Sequence, residues 1–231
     1  MKTYDNLFEV FAKRGFAYEA MIQKQLYKMG LANTDKTAGA SNRADVLFVH
    51  KGKEHNLEIG TAGKDFAQGK VHWKKDRWYA DTKNSKAITD YLQTLTYDDD
   101  LMNQWGPVAL GKKTDAQVTS DMRVSAARSG GDLYLTDIDP DIIANYYADK
   151  GVYYIHVEGA GAFHLAKNPA RLPLPYFDVR PEIRFRVKGY GGGKYDTTWA
   201  IKIPKSSLPQ SPYTFDPSDT KRKGPAEFLK K

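Results

Sequence analysis

Residues 43–60 read Arg-Ala-Asp-Val-Leu-Phe-Val-His-Lys-Gly-Lys-Glu-His-Asn-Leu-Glu-Ile-Gly, and the fold is decided there. Residues 44–49 (ADVLFV) are short, β-branched and apolar, the composition of a strand. Lys51-Gly52-Lys53 follows as a turn and residues 56–59 (NLEI) as a second strand, so this stretch predicts a hairpin. Each strand carries one acid, Asp45 and Glu58, thirteen residues apart. A carboxylate in an apolar strand is costly unless it is paired or coordinates something. Hairpin pairing can bring both acids to one end of a sheet. Two or three convergent carboxylates are how a protein holds Mg²⁺, which prefers oxygen ligands and keeps several waters. Such an ion polarises a phosphodiester and helps generate hydroxide from bound water.

Upstream, residues 6–29 carry Leu7, Phe8, Phe11, Tyr18, Ile22 and Leu26 at three- and four-residue steps, which predicts a helix with a kink or break at Gly15. Residues 30–42 are polar and read as a loop. Downstream, residues 64–79 read as a helix rich in cations, and residues 85–95 as another. Residues 96–114 lack a period and suggest a boundary, and 115–128 make a weakly patterned helix. Asp139-Pro140 predicts a helix start, with Asp as N-cap and Pro at the first position. From residue 151 the period changes to two, predicting strands at 152–157, 162–166, 181–188 and 197–203. The tail after about residue 205, proline-rich and then basic, is expected to hug the surface or fray. No internal repeat is present. The division expected is 1–110 as a core and 111–231 as an α+β elaboration with antiparallel strands.

The chain has 231 residues, 35 Lys+Arg against 28 Asp+Glu, a net charge of +7, 41% hydrophobic residues and no cysteine. Without cysteine there is no disulfide scaffold, thiol nucleophile or thiolate zinc site. The apolar fraction is too high for a disordered chain, and no apolar run approaches a membrane span. Met1-Lys2-Thr3-Tyr4-Asp5 lacks a signal-peptide core, so an intracellular, cytoplasmic protein is the expectation. The positive excess permits an anionic partner without requiring one.

A helix acid, a strand Asp, a turn, a strand Glu and then a cation-rich segment, in that order, resemble the restriction-endonuclease-like PD-(D/E)XK nuclease superfamily. The matching residues are Glu19, Asp45 and Glu58, within roughly residues 8–95. The resemblance implies an α/β fold with a mixed β-sheet core flanked by helices, here with a β-rich C-terminal half. It implies Asp45 and Glu58 as ligands of Mg²⁺, or of Mn²⁺ in its place, with Glu19 supporting the metal or its water. Lys64-Asp65-Phe66-Ala67-Gln68 resembles the phage and restriction-type branch and implies an active-site role for Gln68. The family lysine, two residues after the strand Glu, is replaced by Gly60. That lysine orients the attacking water and stabilises developing charge, which glycine cannot do. Three explanations compete: a cation from Lys64 or Lys70, a substitution at position 60, or a relative that binds without cutting.

Lys70, Lys74, Lys75 and Arg77, interleaved with His72, Trp73, Trp78 and Tyr79, suit a nucleic-acid surface or equally a solvated face over core aromatics. Arg180, Arg184 and Arg186 alternate with apolar residues, and such a strand face could touch DNA. The histidines lack metal-ligand spacing and read as structural, with His156 and His164 facing one another across a hairpin. Gly189–Gly193 reads as a hairpin tip rather than a phosphate loop. The resulting expectation is a Mg²⁺-dependent endonuclease on duplex DNA, of restriction or homing type and acting as a homodimer, without a membrane role. Its rivals are a DNA-binding protein without catalysis on the same scaffold and a protein that binds no nucleic acid.

Overall fold

The structure, a computed structural model, describes residues 3–37, 44–61, 65–74, 77–80, 133–136, 138–190 and 194–229. In chain order these form α1 (Thr3–Lys28), β1 (Val46–His50), β2 (Lys53–Thr61), β3 (Asp65–Lys74), β4 (Arg77–Ala80), β5 (Leu133–Leu135), α2 (Asp141–Ala148), β6 (Tyr154–Glu158), β7 (Gly161–His164), β8 (Glu182–Tyr190), β9 (Lys194–Lys202) and α3 (Pro225–Phe228). The chain is thus mixed α and β, with two mostly antiparallel sheets ordered β1-β2-β6-β7 and β4-β3-β9-β8-β5. Among the described residues no helix is long and apolar enough to cross a membrane.

Two compact units interleave along the chain. One comprises Met1–Ala62, Lys150–Val179 and Leu208–Lys231, the other Gly63–Asp149 and Arg180–Ser207. They do not meet at residue 110, because each draws on both halves of the sequence. The first unit holds α1, the four-stranded sheet and the tail. Its core gathers Ile22 and Leu26 of α1 with Val46, Phe48, Leu57 and Tyr154 from the sheet. β6 runs parallel to β2, and the other strand pairs of this sheet are antiparallel.

Several expectations are corrected. α1 runs through Gly15 without a break. The tail is core rather than fringe: Phe215, Phe228 and Leu229 are buried in the same cluster as α1. Its approach depends on Gly161, at φ +105, where an added Cβ would lie 2.5 Å from the Tyr213 carbonyl oxygen. That carbonyl accepts the Ala162 N–H at 2.8 Å.

Residues 65–74 and 77–80 are strands, not a helix. Gly69 sits mid-segment, and the sequence alternates Ala67-Gly69-Val71-Trp73 with Gln68-Lys70-His72-Lys74, a period of two. At Ala67 and Gln68 that alternation is visible as buried and then exposed. The helices expected at 85–95 and 115–128 fall outside the described residues. The helix near Asp139-Pro140 forms but starts one residue later than expected: Pro140 is the N-cap, and α2 begins at Asp141, whose N–H donates to Asp139 Oδ1 at 2.9 Å.

Candidate functional site

The hairpin expected from residues 43–60 forms in the first unit, and its backbone explains where its two acids stand. Lys51 and Gly52 have φ +50 and +73, the left-handed pair of a two-residue hairpin turn whose twist suits the strands. The register runs from His50↔Lys53 down to Val46↔Leu57. Leu47 N–H and C=O point away from β2, into the buried amide of Gln23 on α1, at 2.7 and 3.2 Å. Val49 N–H likewise donates outward to the Leu31 carbonyl at 2.7 Å. Helix and loop thus close the sheet's open edge.

Those outward amides fix the parity of the ladder. The ladder ends at Val46↔Leu57, and Asp45, in the bend before β1, and Glu58, on β2, each stand one residue past that pair. Glu58 lies on the face of β2 opposite Leu57, while the Asp45 carboxylate turns in toward the β2 backbone. Asp45 Oδ2 accepts the Ile59 N–H at 2.9 Å, a donor that β1, beginning only at Val46, no longer pairs. Burial pushes the Asp45 carboxyl above its usual range, against the opposing pull of the Ile59 N–H and the Lys150 charge. Glu58 is half-buried and registers with Ile155 of β6, itself fully buried. Two acids at one end of a ladder against an apolar strand favour a cation or a shared proton. A pair of carboxylates fits Mg²⁺ when a substrate phosphate and waters complete the shell.

The implied trio reduces to that pair. α1 packs on the Val46 and Leu57 face, and among the described residues no group of three His, Asp or Glu is arranged to hold a metal ion. Glu19, half-buried on α1, is not gathered with Asp45 and Glu58. Gly60 is buried on β2, opposite Val157 of β6 and two residues beyond Glu58 on the same face. The cation whose charge acts on Asp45 within this unit is Lys150, which turn residues at 149–151 deliver beside β2. The Gly151 carbonyl there accepts from Asn56 Nδ2 at 3.1 Å.

The other candidates belong to the second unit or lie outside the described residues. Lys64 and Lys75 fall outside. Gln68 and Lys70 are exposed on β3 rather than on a helix. Lys74 and Arg77 are register partners where β3 meets β4. Arg180 is exposed before β8, and Arg186 registers with Thr198. Arg184 is corrected as a DNA contact. Its side chain is only 10% exposed, and its Nη2 donates to Asp65 Oδ2 at 2.7 Å.

A second polar cluster was invisible in the sequence. His156, 1% exposed on β6, accepts the Phe215 N–H at Nδ1 (3.5 Å) and meets Tyr18 Oη through Nε2 at 2.9 Å. Tyr18 donates to Asp216 Oδ2 at 3.0 Å. That pattern assigns the ring proton to Nε2. Burial pushes the imidazole down to about 4, against the pull of Asp216 and Asp219. Burial and Asp216 push the Tyr18 phenol far up. Neutral and satisfied, His156 ties α1, β6 and the tail together, the structural role expected of it. His164 does not face it: Tyr154 pairs with His164, and His156 with Ala162. No local spacing links residues 18, 156 and 216.

No family model, curated protein or solved structure matches the chain.

Proposed function

We propose that the chain is a divalent-metal-dependent endonuclease that hydrolyses duplex DNA. The observation that supports this reading is the hairpin that brings Asp45, bonded to the Ile59 N–H, and Glu58 to the same end of its ladder, after a packed helix and beside a parallel strand. Asp45 and Glu58 would hold Mg²⁺, or Mn²⁺ in its place. The ion supplies a polarised phosphodiester and an acidified water. The hydrogen bond from Ile59 fixes the Asp45 carboxylate and leaves its other oxygen for the metal. The apolar flank of Ile155 and Val157 limits water, which strengthens each electrostatic contact. Lys150 stands as the cation of this unit in place of the missing lysine at position 60, ahead of Lys64 and Lys70. Target contacts fall to cations such as Lys70, Lys74, Lys75, Arg77, Arg180 and Arg186. Cutting both strands with one such pair of acids calls for two copies of the chain.

Gly60 supports a second reading, a DNA-binding protein without catalysis. Incubation of supercoiled plasmid with Mg²⁺ separates the two. The nuclease reading expects nicked and linear products that vanish with EDTA and with Asp45→Asn. DNA binding without cleavage, by both the natural chain and Gly60→Lys, would favour the second reading.

A further inference from the structure

We propose that the hairpin-tip end of the four-stranded sheet is a phosphate-contacting surface for a nucleic-acid duplex, with Lys51, Lys53, Lys167 and Arg171 as its cations. It rests on the nucleic-acid reading above but uses none of the residues named there.

Topology places these four residues together. β1 rises to the Lys51-Gly52 turn and β2 departs from it. β6 runs parallel to β2 and begins level with Leu57, where β7 ends, so the segments before Tyr154 and after His164, joined by Leu165 N–H to the Tyr153 carbonyl at 2.9 Å, run on from there toward the turn end. The segment after β7 is pinned to that end by Tyr154. Its hydroxyl accepts the Ala170 N–H at 2.7 Å and donates to Asn168 Oδ1 at 2.9 Å. The Tyr154 ring meets Phe48 and His55 of the hairpin at 5.3 and 6.0 Å.

The two cation-bearing turns are held in an unusual backbone. Lys51 (φ +50) and Arg171 (φ +52) are the non-glycine residues with positive φ among those described. At Lys51 this is the geometry of the two-residue hairpin turn, and Arg171 takes it in the turn after Asn168. Asn168 secures the Arg171 turn: its carbonyl accepts the Arg171 N–H at 2.9 Å, and its amide spans to both Leu172 backbone groups at 2.8 and 2.9 Å. Lys167 lies 5.9 Å over the Tyr153 ring.

All four cations are exposed. Glu54 of β2 accepts from Asn33 at 3.1 Å. Asp45, Glu58, Glu158, Asp216 and Asp219 gather instead toward the other end. There Asp219 is ion-paired with Arg222, and the Lys150 charge acts on Asp45. Four strands span about 15 Å, and a duplex offers one phosphate charge per ~1.7 Å of its axis, so several phosphates can be met at once.

The test is fluorescence anisotropy of a labelled duplex across a salt series, for the natural chain and a Lys51→Asn, Lys53→Gln, Lys167→Gln, Arg171→Asn variant. Asn tolerates the left-handed backbone, and an unchanged melting temperature confirms the fold. Loss of four phosphate contacts should flatten the plot of log affinity against log salt by about 3–4 and weaken low-salt binding at least roughly tenfold. A variant that binds duplex like the natural chain overturns the surface and leaves the nuclease reading standing. Failure of the natural chain to bind duplex at low salt overturns both. Binding to anionic phosphatidylserine vesicles but not to duplex, lost in the variant, assigns these cations to a membrane and also overturns the proposal.

Discussion

Asp45 and Asp65 are both aspartates at the start of a strand in an apolar stretch, one in each unit, and the fold treats them differently. Asp65 opens β3 and is neutralised twice, by Arg184 at 2.7 Å and Lys202 at 3.8 Å. Asp45 precedes β1, receives one backbone N–H and has no ion pair among the described residues. Where a protein places a cation inside the fold, the acid is structural. On the function proposed above, that contrast separates Asp45, the candidate site residue, from the structural Asp65.

The largest expected effect tests the structural side. Asp65→Ala removes the carboxylate that the buried Arg184 guanidinium bonds at 2.7 Å, and should cost about 3–5 kcal/mol in urea unfolding. A cost below about 1 kcal/mol would remove the distinction between the two aspartates. Next is His156, a buried group satisfied as fully as Asp65. Its folded pKa of about 4 lies below the unfolded value of about 6.5. The unfolded chain therefore binds the extra proton, and stability is complete above pH 6.5 and declines as pH falls toward 4. The decline attributable to this residue is on the order of 3 kcal/mol. Chemical unfolding at several pH values should show a flatter profile for His156→Gln.

Gln23→Ala strips the partners from Leu47 and Thr34 and should cost about 1–3 kcal/mol, read as a lower melting temperature. The smallest effect carries the opposite sign. Since burial raises the Asp45 carboxyl, its charge weakens the fold as pH rises. Asp45→Asn still accepts the Ile59 N–H while removing that charge, so stability should hold or rise by less than about 2 kcal/mol. Loss of stability in this variant would make Asp45 as structural as Asp65.

The hairpin was legible because apolar runs flanked a Lys-Gly turn, and thirteen residues of separation sufficed to bring its acids to one end of the ladder. The helix expected at 64–79 failed because cations among aromatics hide a period of two, and Gly69 was given too little weight. Arg184 looked like a surface cation because its partner Asp65 lies 119 residues away. Gln23, which closes the sheet edge, and the chain from His156 through Tyr18 to Asp216 depend on contacts between distant segments. Local patterning carries no trace of such contacts. The tail misled for a related reason: its prolines suggested a fringe, but Phe215 and Phe228 supply core.

The central claim is that Asp45 and Glu58 hold a divalent cation against DNA. It is tested most directly by calorimetric titration of Mn²⁺ into the protein bound to a phosphorothioate duplex that resists cleavage. One site is expected in the natural chain, weakened at least roughly tenfold in Asp45→Asn and in Glu58→Gln. No Mn²⁺ binding, or equal affinity in all three proteins, would contradict it.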